Sequence, residues 1–418
     1  MEARLPGEFS KSYLAFQKYP LSIVHSASFG PMLSSLRDLL DLKKDTLCTD
    51  DLNGIVIPTT DIHHDRGSYP DIVKYTLVSE QCVKNWLGDR TEMDEVDGTK
   101  VHGALATMAD PACRFVLLST ESSAVPFQLT RDCLLRILSF HQVMPAYINL
   151  LLGYGTGEEE DIRELRYCAF RAQTTFEPEL GNVIPDLRRS GIQHEVCYNL
   201  QVVSPTNSAP NPLIQDGWRI RQYAVYHRLD LVTDAALWII ADPGNAAGTL
   251  IDRMFPQGCE LEGFSFDSFS KSFNSALNTH LALAQWASDG WRWYLRSLER
   301  VTDDVTSPFL RSDSVPSQNV ARVQKHEEKV IEAMMVMESN IKIMESLSSS
   351  YQKCIADARF HAHDPRLRAV NVCCPWPNSF TDRMNELIFD LRTQVDRGRV
   401  LSEIVKGRQQ ILVQKIEG

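Results

Sequence analysis

The stretch "VARVQKHEEKVIEAMMVMESNIKIMESL", residues 320–347, decides the C-terminal part of the fold. Its apolar residues follow one another at alternating steps of three and four positions over roughly four heptads, interrupted by Glu327. The seam consists of Val320, Val323, Val330, Met334, Met337, Ile341 and Met344. This spacing is typical of a coiled coil, so the stretch predicts a long helix that packs along a partner helix.

A second apolar seam, residues 380–416, supplies that partner. Its members are Phe380, Met384, Leu387, Leu391, Leu401, Val405, Leu412 and Ile416, with interruptions at Gln394 and Gly398. The proline-rich break "HDPRLRAVNVCCPWPNS" separates the two seams. Two such helices joined by a loop predict an antiparallel helical hairpin. The second helix, about 55 Å long if straight, is expected to project from the body like a stalk.

Up to about residue 300, strand-like and helix-like stretches alternate, which is typical of mixed α/β structure. "CRFVLLST" (Cys113–Thr120) predicts a buried strand, and Thr130 predicts the cap of a helix that starts at Arg131. Further strands are expected within residues 54–62, 195–203, 218–231 and 235–242, and one long helix from Ser268 to about Arg300.

These patterns together predict an α+β protein. An N-terminal mixed α/β domain is expected at residues 1–305 and the helical hairpin at residues 320–418. Residues 306–319 are expected to form the linker, because the stretch around them is rich in serine, contains two prolines and has no apolar period.

Composition excludes several classes of protein. The net charge of -11 disfavours a nucleic-acid partner and adhesion to an anionic membrane. The ten cysteines form no zinc-type spacing and predict free thiols in the reducing cytoplasm. The most apolar stretch, Leu134–Gly153, contains Arg136 and Pro145 and therefore predicts a buried helix rather than a membrane span. No membrane span is predicted in this chain.

The stretch "DIHHD" offers candidate metal ligands in Asp61, His63, His64 and Asp65. Imidazole and carboxylate groups do bind metals when further ligands converge on the same ion. A polar loop at the end of a strand is the alternative interpretation. A third hypothesis, a metal-dependent hydrolase, would add His361 or His363 from "HAHDP", which is otherwise a polar loop between the long helices.

Catalytic motifs are not found. The sequence contains no G-x-S-x-G elbow, no Walker motif and no H-E-x-x-H. The glycines of "GYGTGEEED" are followed directly by four acids, which would repel a phosphate. The sequence therefore predicts a protein that is not an enzyme and has no bound cofactor of the nucleotide type.

Several stretches resemble one protein family. They are "RILSFHQVMPAYINLLLGYG", "RSGIQHEVCYNL", "WRIRQYAVYHRLDLV" and "HLALAQWASDGWRWYLRSLE", in this order along the chain. Together they resemble the fungal proteins that carry a CorA-like transporter domain. "HQVMPAY" and "WASDGWRWY" are the most specific pieces, and the resemblance covers nearly the whole chain.

The resemblance implies a fold like the cytosolic part of CorA-type magnesium channels, in which a long stalk helix leads into two membrane helices with a G-M-N signature. Residues 380–416 would be the stalk. Because the sequence contains neither spanning helix nor a G-M-N tripeptide, the last helix is expected to be cut short before a membrane part. Membrane association is expected only if such helices follow.

Two functional hypotheses remain open. The first is a non-enzymatic CorA-like cytosolic domain, related to Mg²⁺ transport, that forms a homo-oligomer through its helices and binds Mg²⁺ weakly between protomers. The second is a soluble interaction or scaffold protein that has lost transport and offers its last helix to a partner.

Overall fold

The structure, a computed structural model, describes residues 3–24, 30–63, 70–96, 99–106, 108–157, 167–178, 181–205, 217–256, 264–310, 316–362 and 376–417. The chain divides into two compact units. The first comprises Met1–Asn199, Tyr223–Thr279 and Ser350–Pro377, and the second comprises Leu200–Gln222, His280–Ser349 and Asn378–Gly418.

The strands of the described residues form two sheets. They are β1 (Ala3–Arg4), β2 (Ile57–His63), β3 (Asp71–Leu77), β4 (Asp89–Val96), β5 (Thr99–Ala106), β6 (Cys113–Thr120), β7 (Phe170–Thr175), β8 (Gln193–Pro205), β9 (Trp218–Asp230) and β10 (Ala236–Pro243). The larger sheet has the order β3-β2-β6-β10-β9-β8-β7, and the smaller has the order β1-β5-β4. Strands β6 and β10 pair in parallel, whereas β2 and β9 run antiparallel to them.

The helices of the described residues are α1 (Gly7–Leu14), α2 (Gly30–Leu42), α3 (Lys44–Leu47), α4 (Glu80–Leu87), α5 (Arg131–Phe140), α6 (Tyr147–Leu151), α7 (Ala246–Met254), α8 (Phe269–Asp289), α9 (Trp291–Leu310), α10 (Ser317–Ala356), α11 (Ala358–Ala362) and α12 (Trp376–Glu417). The mixed sheet with long C-terminal helices confirms the predicted α+β fold class. No helix in the described parts of the chain is long and apolar enough to cross a membrane.

The centre of the large sheet is buried on both faces. Every residue of β6 and of β10 is buried, as expected for strands covered by other layers on each side. On one face, Val116 and Leu118 join the apolar core that also contains residues of α1, α5 and α6. On the other face, the ring of Phe115 stacks on Trp238 and contacts Phe255 at the end of α7.

Helix α5 begins as the sequence predicts. The Thr130 side chain accepts a hydrogen bond from the Cys133 backbone N–H, and Asp132 lies in the first turn near the positive helix terminus. The prediction of one buried helix over Leu134–Gly153 was wrong, because α5 ends at Phe140 and α6 starts only at Tyr147. Gln142 adopts a left-handed backbone conformation between them, with φ 49°, which is incompatible with a continuous helix.

The single helix predicted from Ser268 to Arg300 is also two helices, α8 and α9. They are separated at Gly290, where a Cβ atom would lie 2.2 Å from the Val203 carbonyl oxygen at the end of β8. Within the second unit, the backbone therefore approaches Val203 closely at Gly290, a position without a side chain.

The predicted antiparallel helical hairpin is confirmed by contacts along α10 and α12. Arg392 of α12 pairs with Glu345, and further along α12 Arg399 pairs with Glu338, earlier in α10. The two seams face inward over most of their length: Val323, Val330, Met337, Met344, Phe380, Met384, Leu391, Leu401, Val405 and Leu412 are buried.

A third helix completes this packing. Helix α9 runs parallel to α12, since Glu299 pairs with Arg397 and Asp303 pairs with Arg408 later in both helices. Near the end of α12, Lys415 donates to the Leu310 carbonyl oxygen at 2.8 Å. The last helix is therefore packed against α9 along this stretch rather than held by α10 alone.

The predicted linker falls largely on helical residues. Helix α9 continues through residues 303–310, with Pro308 inside it, and α10 begins at Ser317. Residues 311–315 lie outside the described part of the chain. The serine- and proline-rich composition was outweighed here by burial of Val305 and Thr306 on the helix face. As domain boundaries, 1–305, 306–319 and 320–418 stay a prediction.

We expect Gly290→Ala to destabilise the protein by about 1–3 kcal/mol, because the added methyl group would overlap the Val203 backbone. The matched control is Gly407→Ala in α12, where a Cβ would meet nothing within 4 Å. There the same methyl group should stabilise the helix by about 0.5–1 kcal/mol. Urea unfolding of both variants measures the two effects, and a Gly290→Ala protein as stable as the wild type would contradict the close approach.

Candidate functional site

A buried ion pair joins two neighbouring strands of the large sheet. Asp61 on β2 and Arg114 on β6 are register partners, and the Arg114 Nε and Nη2 atoms donate to the two Asp61 carboxylate oxygens at 2.9 and 2.8 Å. The Trp86 indole N–H donates to the same carboxylate at 3.1 Å, and its ring lies 4.1 Å beneath the guanidinium. Both charges are thus paired and hydrogen-bonded, as burial requires.

A second buried pair lies next to the first. Arg189 donates from Nε and Nη2 to Asp110 at 2.7 and 3.3 Å, and from Nη1 to the Phe140 carbonyl oxygen at 2.6 Å. Burial alone would raise the pKa of Asp110, but the charge and hydrogen bonds of Arg189, together with the other positive groups around it, outweigh burial and hold this pKa below its usual value. Asp110 is therefore a carboxylate at neutral pH.

His141, directly after α5, is neutral and has a defined tautomer. Burial lowers its pKa well below 6.5, and the positive charge of Arg189 lowers it further. The Arg189 Nη2 atom lies 3.3 Å from His141 Nδ1. Because a guanidinium only donates, Nδ1 must accept, which leaves the ring proton on Nε2. That Nε2–H group is buried and has no hydrogen-bond partner among the residues that the structure describes.

Arg228 on β9 adds a further buried positive charge. Leu237 of β10 is the register partner of both Arg114 and Arg228, so the two arginines stand in one row across the sheet. Arg228 is 7% exposed and donates to the His141 carbonyl oxygen. Within the described part of the chain, no carboxylate lies at ion-pair distance from it.

These groups surround a small cavity. The volume that the centre of a water molecule can occupy in it is about 10 Å³. Its charged lining consists of Arg114, Arg188, Arg189, Arg228, Asp110 and Asp230. Asp230 is already engaged by four neutral donors: the backbone N–H and hydroxyl of Ser190 and the N–H groups of Val232 and Thr233. The four arginines of the lining carry more charge than its two aspartates. When Asp61, the partner of Arg114, is also counted, the net charge of these groups is +1.

The predicted metal residues are divided by the structure. Asp61 is buried in the ion pair with Arg114, and His63 is exposed at the end of β2. His64, Asp65, His363 and the His361 side chain lie outside the described residues. Among the residues that the structure describes, no three His, Cys, Asp or Glu side chains are grouped to hold a metal ion. The metal site over residues 61–65 stays a prediction.

The buried arginines were not identified from the sequence. "CRFVLLST" is predicted as a buried strand and residues 218–231 as a further strand, and Arg114 and Arg228 lie within them among residues that a fully buried strand requires to be apolar. A charge within a strand covered on both faces needs a partner, and that conflict was the available signal.

A separate feature, on the second unit, is an apolar arc on the solvent side of α12. It consists of Phe389, Val400, Ile404 and Ile411, which are 69, 61, 43 and 44% exposed. At 100° per residue these four positions fall within about 60° of one another around the helix. The arc is distinct from the buried seam that contacts α9 and α10.

Comparison with known proteins gives a family match. A family model described as CorA-like transporters matches residues 11–310, which is more than half of the chain. No curated protein matches the chain.

Among solved structures, the CorA magnesium transporter from Methanocaldococcus jannaschii matches with 8% identity and a TM-score of 0.41, over 86% of this chain and 77% of that chain. The full-length CmaX protein matches with 12% identity and a TM-score of 0.38, over 88% and 81% of the respective chains.

We expect Asp61→Asn to lower the free energy of unfolding by about 3–5 kcal/mol, because it removes the bidentate carboxylate partner of the buried Arg114 and leaves it only Asp110, at 3.7 Å. The matched control is Asp252→Asn, which removes the exposed partner of Lys74 and should change stability by at most about 1 kcal/mol. Denaturant unfolding of both variants measures the difference. Equal losses would show that the Asp61–Arg114 pair contributes no more than a surface pair.

Stability should fall as the pH is lowered from 7 to 5. Burial lowers the pKa of His194 to about 4, and that of His141 is lowered as well. Both rings stay neutral in the folded protein, while the unfolded chain takes up protons below about pH 6.5. The contribution of the two neutral histidines to the free energy of unfolding is therefore complete above about pH 6.5. It is lost as the pH falls towards the pKa values that the two rings have in the folded protein. For His194 the full change corresponds to roughly 3 kcal/mol.

Urea unfolding at intervals between pH 7 and 5 measures this effect, and His194→Gln should have a shallower pH dependence than the wild type. Because the pKa of Asp110 is lowered, this carboxyl does not titrate in the same range. Identical pH profiles for the wild type and the variant would rule out the contribution of His194.

Proposed function

The chain belongs to the CorA-like transporter family, and from this membership we propose that it is a non-enzymatic domain that serves Mg²⁺ transport and assembles with copies of itself through α12. Family membership supports the link to transport. The assembly is supported by one observation on this chain, the apolar arc of α12.

The arc is an unusual surface for a helix that already has a buried seam. Helix α12 packs on α9 and α10 through the opposite side, so the arc is not needed for the fold of the second unit. Contiguous apolar residues on the surface generally mark a site of interaction. A second copy of the same helix offers a matching apolar stripe, which favours self-association.

Acidic side chains beside the arc support a role for Mg²⁺. Asp396 and Glu403 are exposed and lie within a turn of Val400. Asp396 accepts a hydrogen bond from Arg399, and Glu403 has no ion-pair partner among the described residues. Carboxylates brought together from two copies, with bound water, would form the hard oxygen site that Mg²⁺ prefers. We propose that this weak ion site lies between the protomers of a cytoplasmic assembly. We also propose that the protein comes from a fungus.

Sedimentation velocity of the wild type, with and without millimolar Mg²⁺, tests the assembly. We expect an oligomer whose mass or stability increases with Mg²⁺. Val400→Glu should dissociate it, because a charge would enter the apolar contact. The matched control is Leu42→Glu at the end of α2 in the first unit, where the Leu42 side chain is 78% exposed.

A wild-type protein that sediments as a monomer under both conditions would contradict the assembly. The apolar arc would then favour the second hypothesis, a scaffold that binds a different partner. Equal dissociation by Leu42→Glu would show that the effect is not specific to α12.

A further inference from the structure

We propose that the cavity beside His141 and Arg228 is a binding site for a small inorganic anion of the size of chloride. This inference concerns the first unit and is independent of the assembly through α12. It starts from two groups that the folded chain leaves without suitable partners, Arg228 and the Nε2–H of His141.

The first group is the Arg228 guanidinium. It is buried and donates to a backbone carbonyl oxygen, and no carboxylate lies at ion-pair distance from it among the described residues. The neighbouring arginines are different, because Arg114 and Arg189 have bidentate carboxylate partners. A buried charge without an ion-pair partner is energetically unfavourable, and a bound anion would offset that cost.

The second group is the imidazole of His141, which is 1% exposed and lines the same cavity. Its Nδ1 accepts from Arg189, so its Nε2–H is a donor, and no described residue accepts a hydrogen bond from it. A neutral donor and guanidinium donors around one cavity are suited to a hydrogen-bond acceptor with negative charge. A metal cation is excluded by the same arrangement.

Size and charge define the ligand. The space of about 10 Å³ is close to the lower limit for one water-sized particle, which leaves no room for a nucleotide or a sugar phosphate. The single net positive charge of the surroundings, with Asp61 counted, matches a monovalent ion. Arg188 also lines the cavity, is half-buried and donates to the Thr233 carbonyl oxygen at 3.5 Å. Its positive charge would attract an anion from solvent.

The test is thermal unfolding in sodium chloride or bromide against sodium gluconate at equal ionic strength, since gluconate is too large for the cavity. We expect the halides to raise the wild-type Tm by about 2 °C or more, with saturation. Arg228→Gln should lose this increment. The matched control, Arg253→Gln on the exposed face of α7, removes the same charge and should keep it. General salt effects are common to both variants and cancel in the comparison.

Bromide anomalous scattering from soaked wild-type crystals gives a second reading that does not depend on the folding of Arg228→Gln. A peak between Arg228 and His141 Nε2 is expected. The proposal is overturned by either of two results: equal effects of halide and gluconate on the wild type, or an undiminished halide effect in Arg228→Gln. A bromide density map without a peak in the cavity would also overturn it.

Discussion

The ion pair between Asp61 and Arg114 is the constraint around which the first unit is arranged. It joins β2 to β6 in a sheet whose central strands are buried on both faces, where an unpaired charge carries a large free-energy cost. The pair fixes the register of these strands, since a shift by one residue would turn Arg114 to the opposite face. Trp86 of α4 is held to the sheet by the same carboxylate. The register of β2 against β6 and the contact of α4 with the sheet thus depend on the charges of Asp61 and Arg114.

Much of the fold follows from local sequence patterns, and the exceptions have tertiary causes. Strand β6 and the start of α5 lie where the apolar run and Thr130 place them, and the seams of α10 and α12 pair as their spacing predicts. The break between α8 and α9 was not predictable, because it depends on the approach of Gly290 to Val203, a residue 87 positions earlier. The interruption of the second seam at Gly398 has the same kind of cause: Met334 occupies the space that a side chain there would need.

The arginine cavity shows the limit of motif-based prediction. The sequence draws attention to "DIHHD", where chemistry-bearing residues are adjacent, and Asp61 is indeed in the buried network. The other members, Asp110, His141, Arg189 and Arg228, come from separate segments and share no spacing. They meet because Arg114, Leu237 and Arg228 occupy one row of the sheet and because the chain turns after α5 at His141. Such a site requires the register of three strands, which no single stretch encodes.

The parallel pairing of β6 with β10 has a consequence for how the chain folds. Cys113 lies opposite Ala236, 123 positions later, whereas the contacts of β10 with β9 are local. Closing so long a segment requires a large loss of chain entropy before the contact stabilises anything, and pairings of this kind form slowly. During this delay the two fully buried strands remain uncovered, and they are the segments through which partly folded chains would associate. In a cell, the vulnerable period of this protein is therefore the time before its central strands meet.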